Sequence, residues 1–230
     1  MKFKKFFMMI VVEGPAKIKG KDAYTIGGYL EEFSRYIPYG EHAILDIEKF
    51  VVDGRWCRTD GMFPKSWEEI EIGKRTLVIG DCNSGKNTFT LYAVNCANER
   101  GERVEVIDSD IGQSSIGPPT TIASGIAKNI VLGLYEMNLK DAYFVGDIQP
   151  NGNLAEMIVG VSKLCNRRWI LNTTGLSHGK IGFKLKTLKI EALTPECVVF
   201  LERDNEFSTI KRFCKNLGID FLSIEPSPYA

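Results

Sequence analysis

Hydrophobic and polar positions divide the chain into two textures. Residues 1 to about 72 carry short alternating runs at 7–13, 23–26, 43–49 and 50–53, punctuated by Gly14-Pro15, Gly27-Gly28, Pro38 and Gly54. That spacing predicts a small antiparallel β unit rather than helices. Phe63-Pro64-Lys65-Ser66-Trp67 reads as a connector. From Arg75 onward, apolar runs at 76–79, 103–108, 141–146, 168–172, 196–202 and 220–224 alternate with helix-like stretches at 86–100, 153–166, within 181–193, and 206–217. Buried strands separated by helix-length segments predict a mainly parallel sheet flanked by helices on both faces. The expected organisation is a β domain over 1–72 and an α/β domain over 73–230, without internal repeats.

Three of the expected strands end in segments that carry chemistry. Gly80-Asp81-Cys82-Asn83-Ser84-Gly85-Lys86-Asn87-Thr88 follows the run 76–79 and opens a helix, the setting in which a G-x-x-x-x-G-K match has meaning. Gly80 and Gly85 let the backbone approach phosphate, Asn83 and Ser84 add inward N–H groups, and the helix N-terminus adds its dipole. Lys86 is a mobile point charge for the β- and γ-phosphates. The residue after the lysine, normally a hydroxyl that ligates magnesium, is Asn87. Its carbonyl can ligate a hard cation; Thr88 is the alternative ligand. The expected fold class is therefore a P-loop NTPase preceded by a small β domain.

The second segment, Asp108-Ser109-Asp110-Ile111-Gly112-Gln113, closes the run 103–108. Strand carboxyl ends face the ligand crevice in such sheets, so both carboxylates approach the phosphates. One suits a hydrated magnesium ion and the other a proton from an attacking hydroxyl. The third segment, Asn172-Thr173-Thr174-Gly175-Leu176-Ser177-His178-Gly179-Lys180, is a small-residue loop able to close over phosphates. His178 has no evident partner and reads as a polar loop residue.

Composition narrows this picture only slightly. Lys+Arg and Asp+Glu both number 29, so the total charge points to no nucleic-acid partner, although a basic groove fits within a neutral sum. The six cysteines (Cys57, Cys82, Cys96, Cys165, Cys197 and Cys214) contain no C-x-x-C pair, which speaks against a zinc site or disulfide framework and for a reducing cytoplasm. The apolar start lacks a cleavage pattern and reads as a first strand. No apolar run is long enough to span a bilayer.

Together, Glu13-Gly14-Pro15-Ala16, the loop 80–88, Asp108-Ser109-Asp110-Ile111-Gly112-Gln113-Ser114, Gly117-Pro118-Pro119-Thr120-Thr121, Phe144-Val145-Gly146 and Thr173-Thr174-Gly175 resemble the polynucleotide 5'-hydroxyl kinase family. Leu185-Lys186, Lys189-Ile190-Glu191 and Glu225-Pro226-Ser227-Pro228-Tyr229 extend the likeness over nearly the whole chain. The resemblance implies Mg2+-assisted transfer of the γ-phosphate of ATP (or GTP) to a 5'-hydroxyl RNA or DNA end. RNA-processing protein partners are a further implication. It puts Lys86 on the γ-phosphate, Asn87 at the metal-ligand place with Asp108 nearby, Asp110 as general base, Gln113 beside the substrate, and Thr173, Thr174 and Gly175 in a clasp over the triphosphate. It also implies that the N-terminal β unit helps enclose the base. Asn87 and Leu176, the latter where members often carry Trp, depart from the pattern. The family's arginine-bearing lid and C-terminal β domain are expected to be absent from this chain. A nucleotide-binding scaffold and a simple NTPase stay open as alternatives.

Overall fold

A computed structural model describes residues 9–59, 65–67, 70 and 75–226. The apolar start 1–8, the connector residues 63–64 and the end 227–230 lie outside the described residues.

The N-terminal part is a four-stranded antiparallel sheet of β1 (Met9–Thr25), β2 (Gly28–Ile37), β3 (His42–Asp46) and β4 (Lys49–Arg58). The sequence pattern broke the first strand at Gly14-Pro15 and left 28–37 unassigned. In the structure β1 runs on through that point as one long, irregular strand. Its first residues pair with β3 and β4, its middle with β4 and β2, and Tyr24 and Thr25 return to β3. The register shift between Glu13 and Lys17 leaves Pro15 out of the ladder with β4, which is how a residue without an N–H is tolerated there. Leu30, Phe33 and Ile37 of β2 are buried with Ile10, Val12, Ile18, Leu45 and Ile47, but the intervening Glu31, Glu32 and Arg35 hide that pattern in the sequence.

The second sheet has seven strands. β5 (Arg75–Gly80), β6 (Glu105–Ser109), β9 (Trp169–Thr173), β10 (Cys197–Leu201) and β11 (Asp220–Ile224) are parallel, in the order β11-β10-β5-β9-β6. β7 (Thr121–Ile126) is antiparallel to β6, and β8 (Asn138–Phe144) closes the edge. β7 was not anticipated: Thr-Ile-Ala-Ser-Gly-Ile has no continuous apolar run, although it is almost wholly buried. The helices α1 (Lys86–Glu99), α2 (Leu154–Leu164), α3 (Gly179–Leu193) and α4 (Ser208–Asn216) fall where the periodicity put them, within a few residues.

Alternate residues of each central strand feed opposite faces, as the pleat requires. Val78, Val106, Ile170 and Val199 pack with Phe89, Tyr92 and Val94 of α1. Leu77, Ile107, Leu171 and Val198 pack with α2, α3 and α4. α1 therefore has the first face almost to itself, and its other side meets the N-terminal sheet. That is why eight consecutive residues from Thr88 to Asn95 are all buried, where a surface helix would show one apolar stripe. Trp67, in a single 3-10 turn between the sheets, fills the seam. It lies edge-on to Phe89 at 5.3 Å and donates Nε1–H to the Glu225 carbonyl at 3.0 Å.

Asn95 fastens this seam. It is fully buried, donates Nδ2–H to the carbonyls of Ile26 (2.7 Å) and Val131 (2.9 Å), and accepts from Val131 N–H (3.0 Å). No described helix is long and apolar enough to cross a membrane. Removing one partner from a buried hydrogen-bonded set leaves the others desolvated and unpaired. Asn95→Ala is expected to lower stability by about 3 kcal/mol, read as a lower urea midpoint at an unchanged denaturant slope.

Candidate functional site

β5 ends at Gly80, and the chain turns through residues 81–85 into α1. A Cβ on Gly80 would stand 2.2 Å from Ser84 Oγ, so a side chain there would require the Ser84 hydroxyl to turn away. Asn83 (φ 56°) and Gly85 (φ 82°) adopt the left-handed conformation, which aims the loop around the first turn of α1. Lys86 is buried, and its Nζ donates to the Asp81 carbonyl at 2.6 Å. Burial pushes its ammonium below the usual lysine value, with the charge of Asp110 chief among those opposing the shift.

Asp108, at the end of β6, is fully buried. It accepts from Ser115 N–H at 2.7 Å, Asp110 N–H at 3.1 Å and Asn172 Nδ2 at 3.3 Å. Burial dominates all the same and raises its carboxyl from 3.8 to about 6. Asp110 is only half-buried and accepts from Gln113 N–H at 3.3 Å. Asn87 lies between the two loops: Nδ2 donates to Ser115 Oγ at 3.0 Å and Oδ1 accepts from Asn172 Nδ2 at 2.8 Å. Asn172 thus ties Asn87 to Asp108, and its own Oδ1 is buried without a hydrogen-bond partner.

The segment after β9 closes against the first loop. Ser177 Oγ donates to the Gly80 carbonyl at 3.0 Å, and a Cβ on Gly175 would stand 2.5 Å from Cys82 Sγ and 2.8 Å from Cys82 N. Only glycine permits that approach. Thr173 is fully buried and donates Oγ1–H to the Val78 carbonyl at 2.7 Å. His178, which the sequence left without a partner, meets Asp81 Oδ2 at 2.7 Å and stacks on Phe207.

These segments enclose a cavity of about 180 Å³. Cys82, Asn83, Gly85, Lys86, Asn87 and Thr88 form one wall, Asp110 and Gln113 a second, and Gly175 a third. His42, at the start of β3 in the N-terminal sheet, supplies a fourth that no sequence motif signals. Gly80, Ser84, Asp108, Thr173 and Thr174 are not among the lining residues and sit behind them. Asn172 was also missed; its place directly before Thr173, at a strand's carboxyl end, was the available signal.

A strand, a glycine-bounded loop and a helix at the carboxyl edge of a parallel sheet are the arrangement of P-loop nucleotide-binding proteins. Residues 80–230 match the sequence profile of the mRNA cleavage and polyadenylation factor CLP1 P-loop family, and the chain belongs to it. It is 37% identical over 158 residues to a polyribonucleotide 5'-hydroxyl-kinase of Pyrococcus abyssi, a match covering 66% of this chain and 44% of that protein. To the enzyme of that name from Methanocaldococcus jannaschii it is 34% identical, over 65% of this chain and 43% of that one. A CLP1 homolog of Arabidopsis thaliana is 26% identical over 90% of this chain and 48% of its own length. The chain thus spans less than half the length of these relatives. Among solved structures, a wild-type Clp1p–Pcf11p complex contains the same fold, with a TM-score of 0.67 at 13% identity, over 100% of this chain and 65% of that one.

The Asp108 carboxyl holds its proton more tightly in the folded than in the unfolded chain. Folding therefore takes up a proton between 3.8 and about 6, and stability declines as pH rises through that window. In metal-free protein, Asp108→Asn is expected to remove roughly 3 kcal/mol of this decline, measured as the difference in urea stability between the two ends of the window. A pH dependence equal to that of the parent would contradict the assignment.

Proposed function

We propose that this chain transfers the γ-phosphate of ATP, or of GTP, to the 5'-hydroxyl end of RNA or DNA with the help of Mg2+. The observation that carries this reading is that Lys86 and Asp110 open on one cavity. A phosphate-binding cation and a carboxylate thus meet where a phosphoryl group and a hydroxyl would have to meet. The kinase names of the archaeal relatives support it.

In this reading the inward N–H groups of residues 83–88 hold the triphosphate, and Lys86 exchanges the Asp81 carbonyl for the γ-phosphate. Thr173, Thr174 and Gly175 act as the clasp, in which Gly175 alone touches the ligand and the threonines support it from behind. A cleft of about 510 Å³ adjoins at His42 and is lined by Glu13, Gly14, Tyr39 and Glu41 among others; it suits the base. That placement supports a division into a domain over 1–72 for the base and one over 73–230 for the phosphates.

Asn87 Oδ1 and Asp108 Oδ1 both accept from the same amide of Asn172. These hard oxygens fit Mg2+, which commonly uses one or two carboxylates and takes the rest from water and phosphate. Among the described residues no group of three His, Cys, Asp or Glu could cage a metal by itself, which agrees with that mode. Mg2+ bound there would neutralise charge on the phosphates. Asp110 takes the proton as the 5'-oxygen bonds to the γ-phosphorus and the bond to the β–γ bridging oxygen breaks, releasing the nucleoside diphosphate. Gln113 positions the accepting end.

One observation favours a second reading, a nucleotide-holding scaffold: both ends of the Asn87 side chain are already engaged. The protein named with Clp1p in the solved complex supports an RNA-processing protein partner for this chain as well. Six free cysteines support a reducing compartment such as the cytoplasm.

Transfer of labelled γ-phosphate to 5'-hydroxyl RNA and DNA oligonucleotides, compared with release of free phosphate, separates these readings. Asp110→Ala is expected to cut transfer at least about 100-fold while ATP still binds. Asn87→Ser is expected to raise Mg2+-dependent transfer. Free phosphate without labelled oligonucleotide would mean a simple NTPase, and ATP binding with neither product would mean a scaffold.

A further inference from the structure

Helix α3 carries two lysines that the reading so far does not use. Lys186 and Lys189 are both 0% exposed, whereas Ile181 and Phe183 of the same helix are 36% and 37% exposed. The helix thus buries two ammonium groups beside Leu185, Ile190 and Leu193 on its core face, a place an amphipathic helix normally keeps for apolar side chains. Three positions apart, the lysines share a face. Lys186 Nζ donates to Thr173 Oγ1 at 2.8 Å and to the Thr174 carbonyl, and Lys189 Nζ donates to Ser109 Oγ at 2.7 Å. Among the described residues neither forms an ion pair with a carboxylate.

A buried ammonium that no carboxylate contacts is costly, and a neutral side chain could make the same hydrogen bonds to hydroxyl and carbonyl oxygens. Asp110 favours the charged form of both lysines from a distance, with Asp81 for Lys186 and Asp108 for Lys189, but burial outweighs them. Their location suggests what balances the charge. Thr174 immediately precedes Gly175 and Ser109 immediately precedes Asp110, and both Gly175 and Asp110 line the phosphate cavity. Each ammonium therefore stands one residue behind a wall of that cavity. Burial pushes Lys189 down to about 8 and Lys186 well below its ordinary value, with Lys189 and Lys86 depressing Lys186 further. Negative charge entering the cavity favours the ammonium form of both.

We propose that Lys186 and Lys189 are charge-compensating residues for polyphosphate, acting from behind the two loops without touching the ligand and favouring ligands with two or three phosphates over a monophosphate. The inference rests on the reading of the cavity as the phosphate site of a nucleotide. A buried charge that does not touch the ligand still acts on it through the protein interior, at the level of roughly tenfold in affinity.

The test measures AMP, ADP and ATP binding by calorimetry for the parent chain, Lys186→Met, Lys189→Met and Lys186→Gln, with thermal unfolding of each nucleotide-free protein. Each Met variant is expected to weaken ATP binding about tenfold, or ~1.4 kcal/mol, to weaken ADP binding less, and to leave AMP binding unchanged. The nucleotide-free Met variants are expected to unfold near the parent temperature, since removal of a buried charge offsets the hydrogen bonds lost at Thr173, Thr174 and Ser109. Lys186→Gln keeps an N–H donor but not the charge, and is expected to behave like Lys186→Met. Unchanged ATP affinity, equal losses for all three nucleotides, rescue by Gln, or Met variants that unfold earlier or fail to fold would make the lysines structural staples and overturn the proposal. A parent chain that binds none of the three nucleotides would instead overturn the underlying phosphate-site reading.

Discussion

The side-chain amide of Asn172 joins the parts of the site. One NH2 group reaches Asn87 at 2.8 Å and Asp108 at 3.3 Å, and so links the start of α1, the end of β6 and the end of β9. These three elements come from separate stretches of the chain, and two further side-chain bonds reinforce the tie: Asn87 Nδ2 donates to Ser115 Oγ, and Ser109 Oγ donates to the Asn172 carbonyl. A buried carboxylate such as Asp108 is tolerable only when its oxygens are hydrogen-bonded, and Asn172, Ser115 and Asp110 N–H together meet that need. The same amide orients Asn87, whose oxygen would otherwise face an exposed loop. Placement of the acidic loop relative to the glycine loop therefore depends on a neutral residue that itself titrates nothing.

A second constraint acts from the other side of the sheet. α1 is buried all round because the N-terminal sheet covers what the seven-stranded sheet leaves open, and Asn95 hydrogen-bonds across that seam. This packing carries β3 to the cavity at the glycine loop and brings His42 into its wall. The two sheets are thus coupled through the very helix whose N-terminus faces the cavity. Strain at the seam would be transmitted to the site by a rigid element rather than by a loop.

Much of this was legible because it is local in sequence. The glycine loop, the paired aspartates and the Thr173–Gly175 loop each follow an apolar run, and in a parallel sheet that is enough to bring them to one edge. What was illegible depends on contacts between distant segments. β7 is buried through small and polar residues that make no hydrophobic signal, and β2 alternates charge with core. Lys186 and Lys189 look in sequence like the solvated face of an ordinary helix, since periodicity cannot tell a buried ammonium from an exposed one. His42 belongs to no motif and Asn172 only opens the third loop; the packing of β3 beside the cavity and of β9 between β5 and β6 gives them their roles.

A nucleotide and its metal, bound in this cradle as proposed, would exchange its internal hydrogen bonds for their own. The most direct test is a crystal structure of the full chain with Mg2+ and a non-hydrolysable ATP analogue. Lys86 Nζ is expected to leave the Asp81 carbonyl for the γ-phosphate, and Mg2+ to displace the Asn172 amide from Asn87 and Asp108. An analogue bound elsewhere, or bound with the Lys86–Asp81 and Asn172 contacts intact, would contradict it.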